Sequence, residues 1–327
     1  MALNTKDFKI LQQLDLNPRI PTTVLAKRVR LSQQVVDYRI KRMIETNLIT
    51  SFGTIFNPAK MGYEQYRILF QLDNVTDKEK HQIIHYLKND PKVYWAAIVG
   101  GKWDLFVVIF VKNYDDYERF LDGLFTKYHR WLKDYYALLA TYHELYGHKF
   151  LHSTEMFNPI TMNLRSSQKA LELDALDISI LSQTKSNCRA SSLEISRHSK
   201  TTYKTVQNRI KNLENEGLIV GYRLFLKSEQ FEYKAYLLLL SFQNYGRDLE
   251  KKLLGYARSH PLITQALKLF GQWSLQFHVR VRDQKELQNL VIELRNTYPL
   301  VGEYEIIPIF EDISINTFPM SDGKKIH

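Results

Sequence analysis

The stretch SQQVVDYRIKRM, residues 32–43, decides the fold. Its apolar residues Val36, Ile40 and Met43 recur at helical spacing, which predicts a helix with one buried face. Ser32 is a preferred N-terminal cap for this helix, and Asn47 can adopt the left-handed conformation that ends a helix. The stretch therefore predicts a helix running from the residue after Ser32 to about Glu45.

Two further helices are predicted before this one. Residues 5–15 carry a helical apolar stripe, and a shorter stripe follows over 22–29 after the prolines at 18 and 21. Three helices with a tight turn between the last two match a helix-turn-helix. Residues 49–56 alternate as a strand does, which indicates the winged variant.

The chain repeats itself at an offset of 170 residues without a gap. Identical residues at this offset extend over a whole unit. Asp7 aligns with Asp177, Ile10-Leu11 with Ile180-Leu181, Arg39-Ile40-Lys41 with Arg209-Ile210-Lys211, Leu48-Ile49 with Leu218-Ile219, Pro91 with Pro261, Gly101-x-Trp103 with Gly271-x-Trp273, and Tyr128 with Tyr298. In the second copy Thr202 takes the place of Ser32, and Gly217 that of Asn47. The sequence therefore predicts two copies of one unit.

The second part of each copy is predicted to be a βαββαβ domain, the ferredoxin-like split motif. The predicted elements are 66–72, 76–88, 93–99, 105–111, 114–128 and 135–141 in copy 1, and 236–242, 248–258, 263–269, 275–281, 284–297 and 304–310 in copy 2. The helices cover one face of each sheet. The strands are apolar on nearly every position, so the other face needs a partner. The second copy can supply it, which makes the chain an internal pseudo-dimer.

These elements predict an α+β protein with six segments: winged helix-turn-helix domains at 1–56 and 171–226, ferredoxin-like effector and dimerisation domains at 57–146 and 227–320, a linker at 147–170, and a tail at 321–327. The linker contains Pro159, Ser166 and Ser167 and has no sustained amphipathic period.

Composition limits the possible functions of the 327-residue chain. A single cysteine excludes an intrachain disulfide framework and cysteine-rich metal modules. The apolar runs are too short for a membrane span and the first residues have no apolar signal core, so we expect a cytoplasmic protein. The net charge of +10 favours a polyanionic partner, and we expect double-stranded DNA. No phosphate-binding loop or catalytic triad is visible, so we expect no enzyme activity, cofactor or metal.

The outward face of each third helix is the predicted DNA-reading surface. Gln and Asn side chains can pair with adenine, and Arg and Lys with guanine, while helix N-termini attract phosphate. The candidate residues are Ser32, Gln33, Gln34, Asp37, Tyr38, Arg39, Lys41 and Arg42 in copy 1, and Thr202, Tyr203, Lys204, Gln207, Asn208, Arg209 and Lys211 in copy 2. Residues 1–52 hold nine basic and four acidic residues, whereas residues 170–222 hold seven and six. We therefore expect the first head to bind phosphate more strongly.

The motifs resemble the Lrp/AsnC family, the leucine-responsive type of transcription regulator. The family pattern of Ser, then Val-x-x-Arg-Ile-x-x-Leu, then Gly-Ile is matched by Ser32, Val36, Arg39, Ile40, Met43 and Leu48-Ile49, and by Thr202, Val206, Arg209, Ile210, Leu213 and Gly217-Leu218-Ile219. Gly221-Tyr222 is similar to the family's wing, and the segment 57–63 to its connector.

The resemblance also implies a site for a small effector, such as an amino acid. In the family a Gly-x-Tyr-Asp turn lies near where effectors bind at subunit interfaces. Here the turns contain Gly101, Trp103 and Asp104, and Gly271, Trp273 and Ser274. Trp replaces the family's Tyr in both turns, and Ser274 replaces its Asp. Beyond the intramolecular pseudo-dimer, assembly into a higher homo-oligomer is a further hypothesis.

Two alternatives to a sequence-specific regulator remain open. Siroheme decarboxylases resemble the same architecture, and His143, His148 and His152 could be read as part of such an enzyme. A low-specificity protein that compacts DNA would share every motif described above. The dense Arg-rich run that a siroheme decarboxylase would suggest is not seen in this sequence. A fused pair with two different reading faces can recognise an asymmetric site that a two-fold dimer cannot.

Overall fold

The computed structural model describes residues 3–152, 158–165, 169–242 and 247–315. The predicted tail at 321–327 lies outside the described residues. The chain divides into two compact units. Unit 1 comprises 1–56, 146–160 and 173–233, and unit 2 comprises 57–145, 161–172 and 234–327. No helix among the described residues is both long and apolar enough to cross a lipid bilayer.

Both copies run through the predicted order of elements. In copy 1 these are α1 (Thr5–Leu16), α2 (Thr22–Val29), α3 (Gln33–Glu45), β1 (Ile49–Phe56), β2 (Glu64–Leu72), α4 (Asp77–Asn89), β3 (Val93–Val99), β4 (Leu105–Val111), α5 (Tyr114–Tyr128) and β5 (Leu132–Leu145). A short strand β6 (Ile160–Asn163) follows. Copy 2 has α6 (Ala175–Thr184), α7 (Ser192–His198), α8 (Tyr203–Asn215), β7 (Ile219–Leu226), β8 (Lys234–Phe242), α9 (Arg247–Ser259), β9 (Ile263–Phe270), β10 (Leu275–Val281), α10 (Gln284–Thr297) and β11 (Val301–Ile315).

Unit 1 contains both helix-turn-helix heads. The expected helix ends are confirmed, because Asn47 (φ 55°) and Gly217 (φ 71°) both adopt the left-handed conformation after α3 and α8. The capping box from Ser191 to Glu194 opens α7. Strands β1 and β7 pair with each other in an antiparallel two-stranded sheet. The predicted wing strands therefore join one head to the other.

This pairing brings the two heads into one core. A Cβ atom on Gly53 would lie 2.6 Å from the Phe225 ring, so only glycine lets that ring cross β1. Cys188 and Leu224 of copy 2 are buried in the same cluster as Ile10 and Val36 of copy 1. Breaking the heads apart would thus expose apolar side chains from both copies.

Unit 2 contains both ferredoxin-like domains, and their strands form a closed ring. The order is β2-β4-β3-β11-β8-β10-β9-β5, and β5 pairs back onto β2. The first half of β5 pairs with β2 of its own copy, and its end pairs with β9 of the other copy. Strand β11 does the same with β8 and β3. The copies therefore associate through strand edges as well as through sheet faces.

The predicted linker at 147–170 is partly folded in the described residues. Lys149–Leu151 forms a short 3₁₀-helix, and β6 lies beside β5 at the margin of the sheet. Leu151 is buried in the core of unit 1, and Gln12 donates a hydrogen bond to its carbonyl oxygen at 2.6 Å. The polar composition indicated a linker, but these few apolar side chains are enough to bind the segment to its neighbours.

Candidate nucleic-acid interface

The two third helices, α3 and α8, are held in the same way. Ser32 Oγ accepts a hydrogen bond from the Val35 amide at 3.3 Å, and Thr202 Oγ1 accepts one from the Thr205 amide at 3.1 Å. The inward faces are fully apolar and consist of Val36, Ile40 and Met43 in α3, and Val206, Ile210 and Leu213 in α8. Burial of these triplets fixes the rotation of each helix, so the opposite face is turned to solvent.

Most of the predicted reading residues lie on that solvent face. Tyr38 is 64% exposed and Tyr203 is 57% exposed, which is unusual for large aromatic side chains. The other exposed members are Ser32, Gln33, Gln34, Asp37 and Lys41 in the first head, and Thr202, Lys204, Gln207, Asn208 and Lys211 in the second. Arg42 is half-buried. Each head therefore presents an open row of hydrogen-bonding side chains.

Arg39 and Arg209 have a different environment from the rest of the set. Arg39 Nη1 donates to Asp7 Oδ1 at 2.7 Å, and the Asp7 side chain is 1% exposed. Arg209 reaches Asp177 at 3.2 Å and Asp174 at 2.9 Å. Each arginine thus ties its third helix to the first helix of the same head. Both guanidinium groups are therefore paired with carboxylates, and a DNA contact by either arginine stays a prediction.

We expect Arg39→Met to loosen the packing of α3 against α1 in the first head. Removing one partner of a pair with a buried carboxylate costs about 3 kcal/mol, since Asp7 would keep a buried charge. Amide hydrogen exchange in α1 and α3 should therefore rise about 100-fold by mass spectrometry. Lys41→Met is the matched control, because the Lys41 side chain is 77% exposed and its substitution should leave exchange unchanged. Equal exchange in both variants would contradict the structural role of Arg39.

The heads are also connected by arginine contacts between copies. Arg19 Nη1 donates to the Tyr222 hydroxyl at 2.7 Å, and its guanidinium lies 4.7 Å from that ring. Arg189 Nη1 donates to the Pro18 carbonyl oxygen at 2.6 Å. These contacts add directional restraint to the β1–β7 pairing. The sequence motif Gly221-Tyr222 therefore serves head-to-head contact in unit 1.

The predicted effector turns lie where the two ferredoxin-like domains of unit 2 meet. Trp103 is buried, and its indole Nε1 donates to Glu305 Oε1 of copy 2 at 2.9 Å. The Gln272 amide beside Gly271 donates to the Tyr136 hydroxyl of copy 1 at 2.6 Å. Trp273 is buried as well, whereas Gly101 and Gly271 are exposed.

Asp104 and Ser274 help to close these turns. Asp104 Oδ2 accepts a hydrogen bond from the Leu72 amide at 2.7 Å, and the Asp104 amide donates to the Phe70 carbonyl oxygen. The Ser274 amide donates in the same way to the Leu240 carbonyl oxygen. The effector assignment of the six turn residues stays a prediction.

The residues considered for catalysis each have a structural partner. His148 Nδ1 and His152 Nε2 both contact the buried Asp15 carboxylate, at 2.7 Å and 3.1 Å, and His143 pairs with Gln265 at 2.9 Å. Within the described ranges, no group of three or more His, Cys, Asp or Glu side chains could hold a metal ion. Cys188 is buried, and burial raises the pKa of its thiol to about 11.

Comparison with known proteins agrees with the repeated heads. The sequence model of the winged helix-turn-helix DNA-binding family matches residues 3–50 and again 173–220. An uncharacterised HTH-type transcriptional regulator of Pyrococcus horikoshii is 28% identical over 121 residues, which are 37% of this chain and 75% of the relative. The proline dehydrogenase transcriptional activator of Rhodobacter capsulatus is 27% identical over 120 residues, which are 36% and 78% of the two chains.

The likeness to a solved structure extends over nearly the whole chain. The siroheme decarboxylase NirDL superposes with a TM-score of 0.64 at 13% identity, covering 95% of this chain and 93% of that one. At this identity the likeness concerns the fold alone. The chain carries two winged helix-turn-helix domains, each followed by a βαββαβ domain, and its curated relatives are regulators. Both of its heads are thus similar to winged helix-turn-helix DNA-binding domains, and the curated relatives that it matches include HTH-type transcriptional regulators.

Proposed function

We propose that this protein is a transcription regulator that reads an asymmetric DNA site with two different heads. The observation that carries this proposal is the pair of exposed helix faces, α3 and α8, in one compact unit. Corresponding positions differ in chemistry, since Gln33, Gln34, Asp37 and Tyr38 correspond to Tyr203, Lys204, Gln207 and Asn208. Because amides and lysine prefer different base edges, the heads should select different half-sites.

The fusion explains how two unequal heads act together. Paired recognition helices read successive major grooves about 34 Å apart on one side of a duplex. A two-fold dimer presents the same face twice and requires a palindrome. Here the β1–β7 pairing holds two unlike faces in one molecule, so binding of one head raises the effective concentration of the other.

Selection from random duplex DNA tests the proposal. We expect two unlike half-sites whose centres are about one helical turn apart. A second selection uses a chain in which head 2 carries the reading residues of head 1, that is Tyr203→Gln, Lys204→Gln, Gln207→Asp and Asn208→Tyr. This variant should select a palindrome of the first half-site. A palindrome selected by the original chain, or no enrichment at all, would contradict the proposal.

We further propose that a small effector of the amino-acid class acts at the turns around Trp103 and Trp273. Both turns contact the other copy, through Glu305 and through Tyr136, so a ligand there would alter contacts between copies. Such coupling usually changes affinity by about 5- to 150-fold. Repeating the DNA-binding assay with a panel of amino acids tests this point. Assembly beyond the fused pair stays a prediction.

We also propose that the protein is not an enzyme and acts in the cytoplasm, where a regulator has access to the chromosome. The histidines considered for catalysis are engaged by Asp15 and Gln265, which supports a structural role for them. An absorption spectrum recorded with added siroheme should be the sum of the separate spectra. Formation of a decarboxylated product would overturn this part of the proposal.

A further inference from the structure

The inner face of strand β2 carries polar side chains. Ile68 and Phe70 of β2 belong to the cluster that packs under α4 and α5. Because side chains alternate along a strand, Gln65 and Arg67 point to the other face, towards the interior of the closed ring. Both are buried, with Gln65 3% and Arg67 2% exposed. The interior of unit 2 therefore contains a cationic side chain.

Arg67 reaches across the ring to the second copy. Its Nε donates to Gln276 Oε1 at 2.9 Å, and its Nη2 lies 3.2 Å from His278 Nε2. The guanidinium carbon lies 4.9 Å from the Phe106 ring centroid. Strands β2 and β10 are not neighbours in the ring, so these contacts cross its interior.

The repeat does not explain this cluster. At the offset of 170, Arg67 corresponds to Leu237, and Gln65 corresponds to Ala235. Gln276 and His278 correspond in turn to Phe106 and Val108. Apolar side chains thus serve the same fold at each equivalent position. These four polar residues therefore break the symmetry of the repeat, and three of them, Arg67, Gln276 and His278, contact one another.

The cluster lacks a negative charge. Among the described residues, no carboxylate forms an ion pair with Arg67, and its Nη1 makes no hydrogen bond. Gln65 Oε1 is buried and also has no hydrogen-bond partner in that part of the chain. A buried cation without a counter-charge costs several kcal/mol, and burial lowers the pKa of Arg67 to about 9. The interior therefore contains a guanidinium without a counter-charge, on Arg67, and a hydrogen-bond acceptor without a donor, Gln65 Oε1.

We propose that the interior of unit 2, between its two ferredoxin-like domains, binds a small carboxylate on Arg67. The planar guanidinium matches a carboxylate in geometry and charge, and such pairs are among the strongest in proteins. His278 and Gln276 hold the guanidinium in place, and Gln65 Oε1 can accept a hydrogen bond from a donor on the same ligand. This site is separate from the Trp103 and Trp273 turns and does not depend on DNA binding.

A thermal-shift titration with acetate tests the proposal on the full chain. At constant ionic strength, replacing sodium chloride with sodium acetate should raise Tm by about 2 to 4 °C and then saturate. A general salt effect on burial would instead grow without saturation. Fluorescence provides a second readout, because the Trp95 ring lies 5.5 Å from the His278 ring. Its emission should change with the same midpoint, and the change should be lost in Trp95→Phe.

Arg67→Met is the decisive variant, with Arg130→Met as its exposed control. Replacing a buried unpaired cation by an apolar group of similar length is neutral or stabilising, so this variant should fold with equal or higher Tm. It should not respond to acetate, whereas Arg130→Met should respond as the original chain does. The proposal is overturned if acetate and chloride give the same Tm in the original chain. It is equally overturned if Arg67→Met keeps the acetate response, or loses stability whether or not acetate is present.

Discussion

The double substitution Gln34→Glu with Tyr38→Asp is expected to lower DNA affinity at least about 100-fold. Both side chains lie on the exposed face of α3, and Tyr38 is 64% exposed. Two carboxylates there would face the phosphates and the acceptor edges of the bases, where each one adds repulsion and removes a possible hydrogen-bond donor. The dissociation constant for the selected duplex, measured by fluorescence anisotropy at fixed salt, checks this result.

A control variant with the same change in net charge, placed away from α3, distinguishes the loss of local DNA contacts from the effect of net charge. Gln82→Glu with Asn89→Asp changes the net charge by the same amount on the exposed face of α4 in unit 2. This variant should bind within about 3-fold of the original chain, because neither residue belongs to the proposed reading faces and only the net charge changes. Thermal unfolding should be unchanged in both variants, since the substituted side chains are exposed. If both pairs weakened binding equally, α3 would not be the reading surface.

The substitution Asp15→Ala is expected to cost about 3 kcal/mol of stability at neutral pH. The Asp15 carboxylate is 1% exposed and accepts hydrogen bonds from the His148 amide at 2.8 Å, from His148 Nδ1 and from His152 Nε2. Its removal takes the Asp15 acceptor away from all three donors and releases the 147–152 segment from α1. Urea denaturation monitored by circular dichroism measures the loss. Limited proteolysis should show new cleavage between His148 and His152.

The stabilisation by Asp15 should decrease as the pH falls. Burial alone would raise the pKa of Asp15, but the charge and hydrogen bonds of His148, with the hydrogen bond of His152, hold it well below its usual range. A carboxyl with a lowered pKa stabilises the fold above its ordinary pKa of about 4 and loses that contribution as the pH falls. The difference between the original chain and Asp15→Ala should therefore shrink from pH 5 towards pH 2. Glu45→Ala removes an exposed carboxylate (62%) in the same unit, and no such loss is expected.

Sequence patterns that span only a few residues were enough to predict the helices of the two heads. The spacing of Val36, Ile40 and Met43, the cap at Ser32 and the helix stop at Asn47 all describe interactions within a few residues. The 170-residue offset then transferred the assignment to the second copy. The exposed faces of α3 and α8 follow from the same periodicity, because the burial of one face leaves the opposite face in solvent.

Long-range contacts account for the places where the structure differs from the sequence-based predictions. The strands predicted at 135–141 and 304–310 extend to Leu132–Leu145 and Val301–Ile315, because the ends of β5 and β11 pair with the other copy. Arg39 belongs to a motif that predicted DNA contact, but its guanidinium is bound to Asp7, 32 residues away in sequence. Periodicity describes the direction of a side chain along its own helix and contains no information about distant partners.

The amino-acid sequence by itself determined the duplicated architecture, the order of elements in each copy and the two unlike reading faces. Those features depend on apolar spacing, caps and turn residues, which act within one or two turns of chain. Only the tertiary structure decided that the wing strands join the heads, that the sheets close into one ring, and that Arg67 meets Gln276 and His278 inside it. Each of these depends on contacts between the two copies, made by residues more than 100 positions apart, and such contacts require the whole chain to be folded.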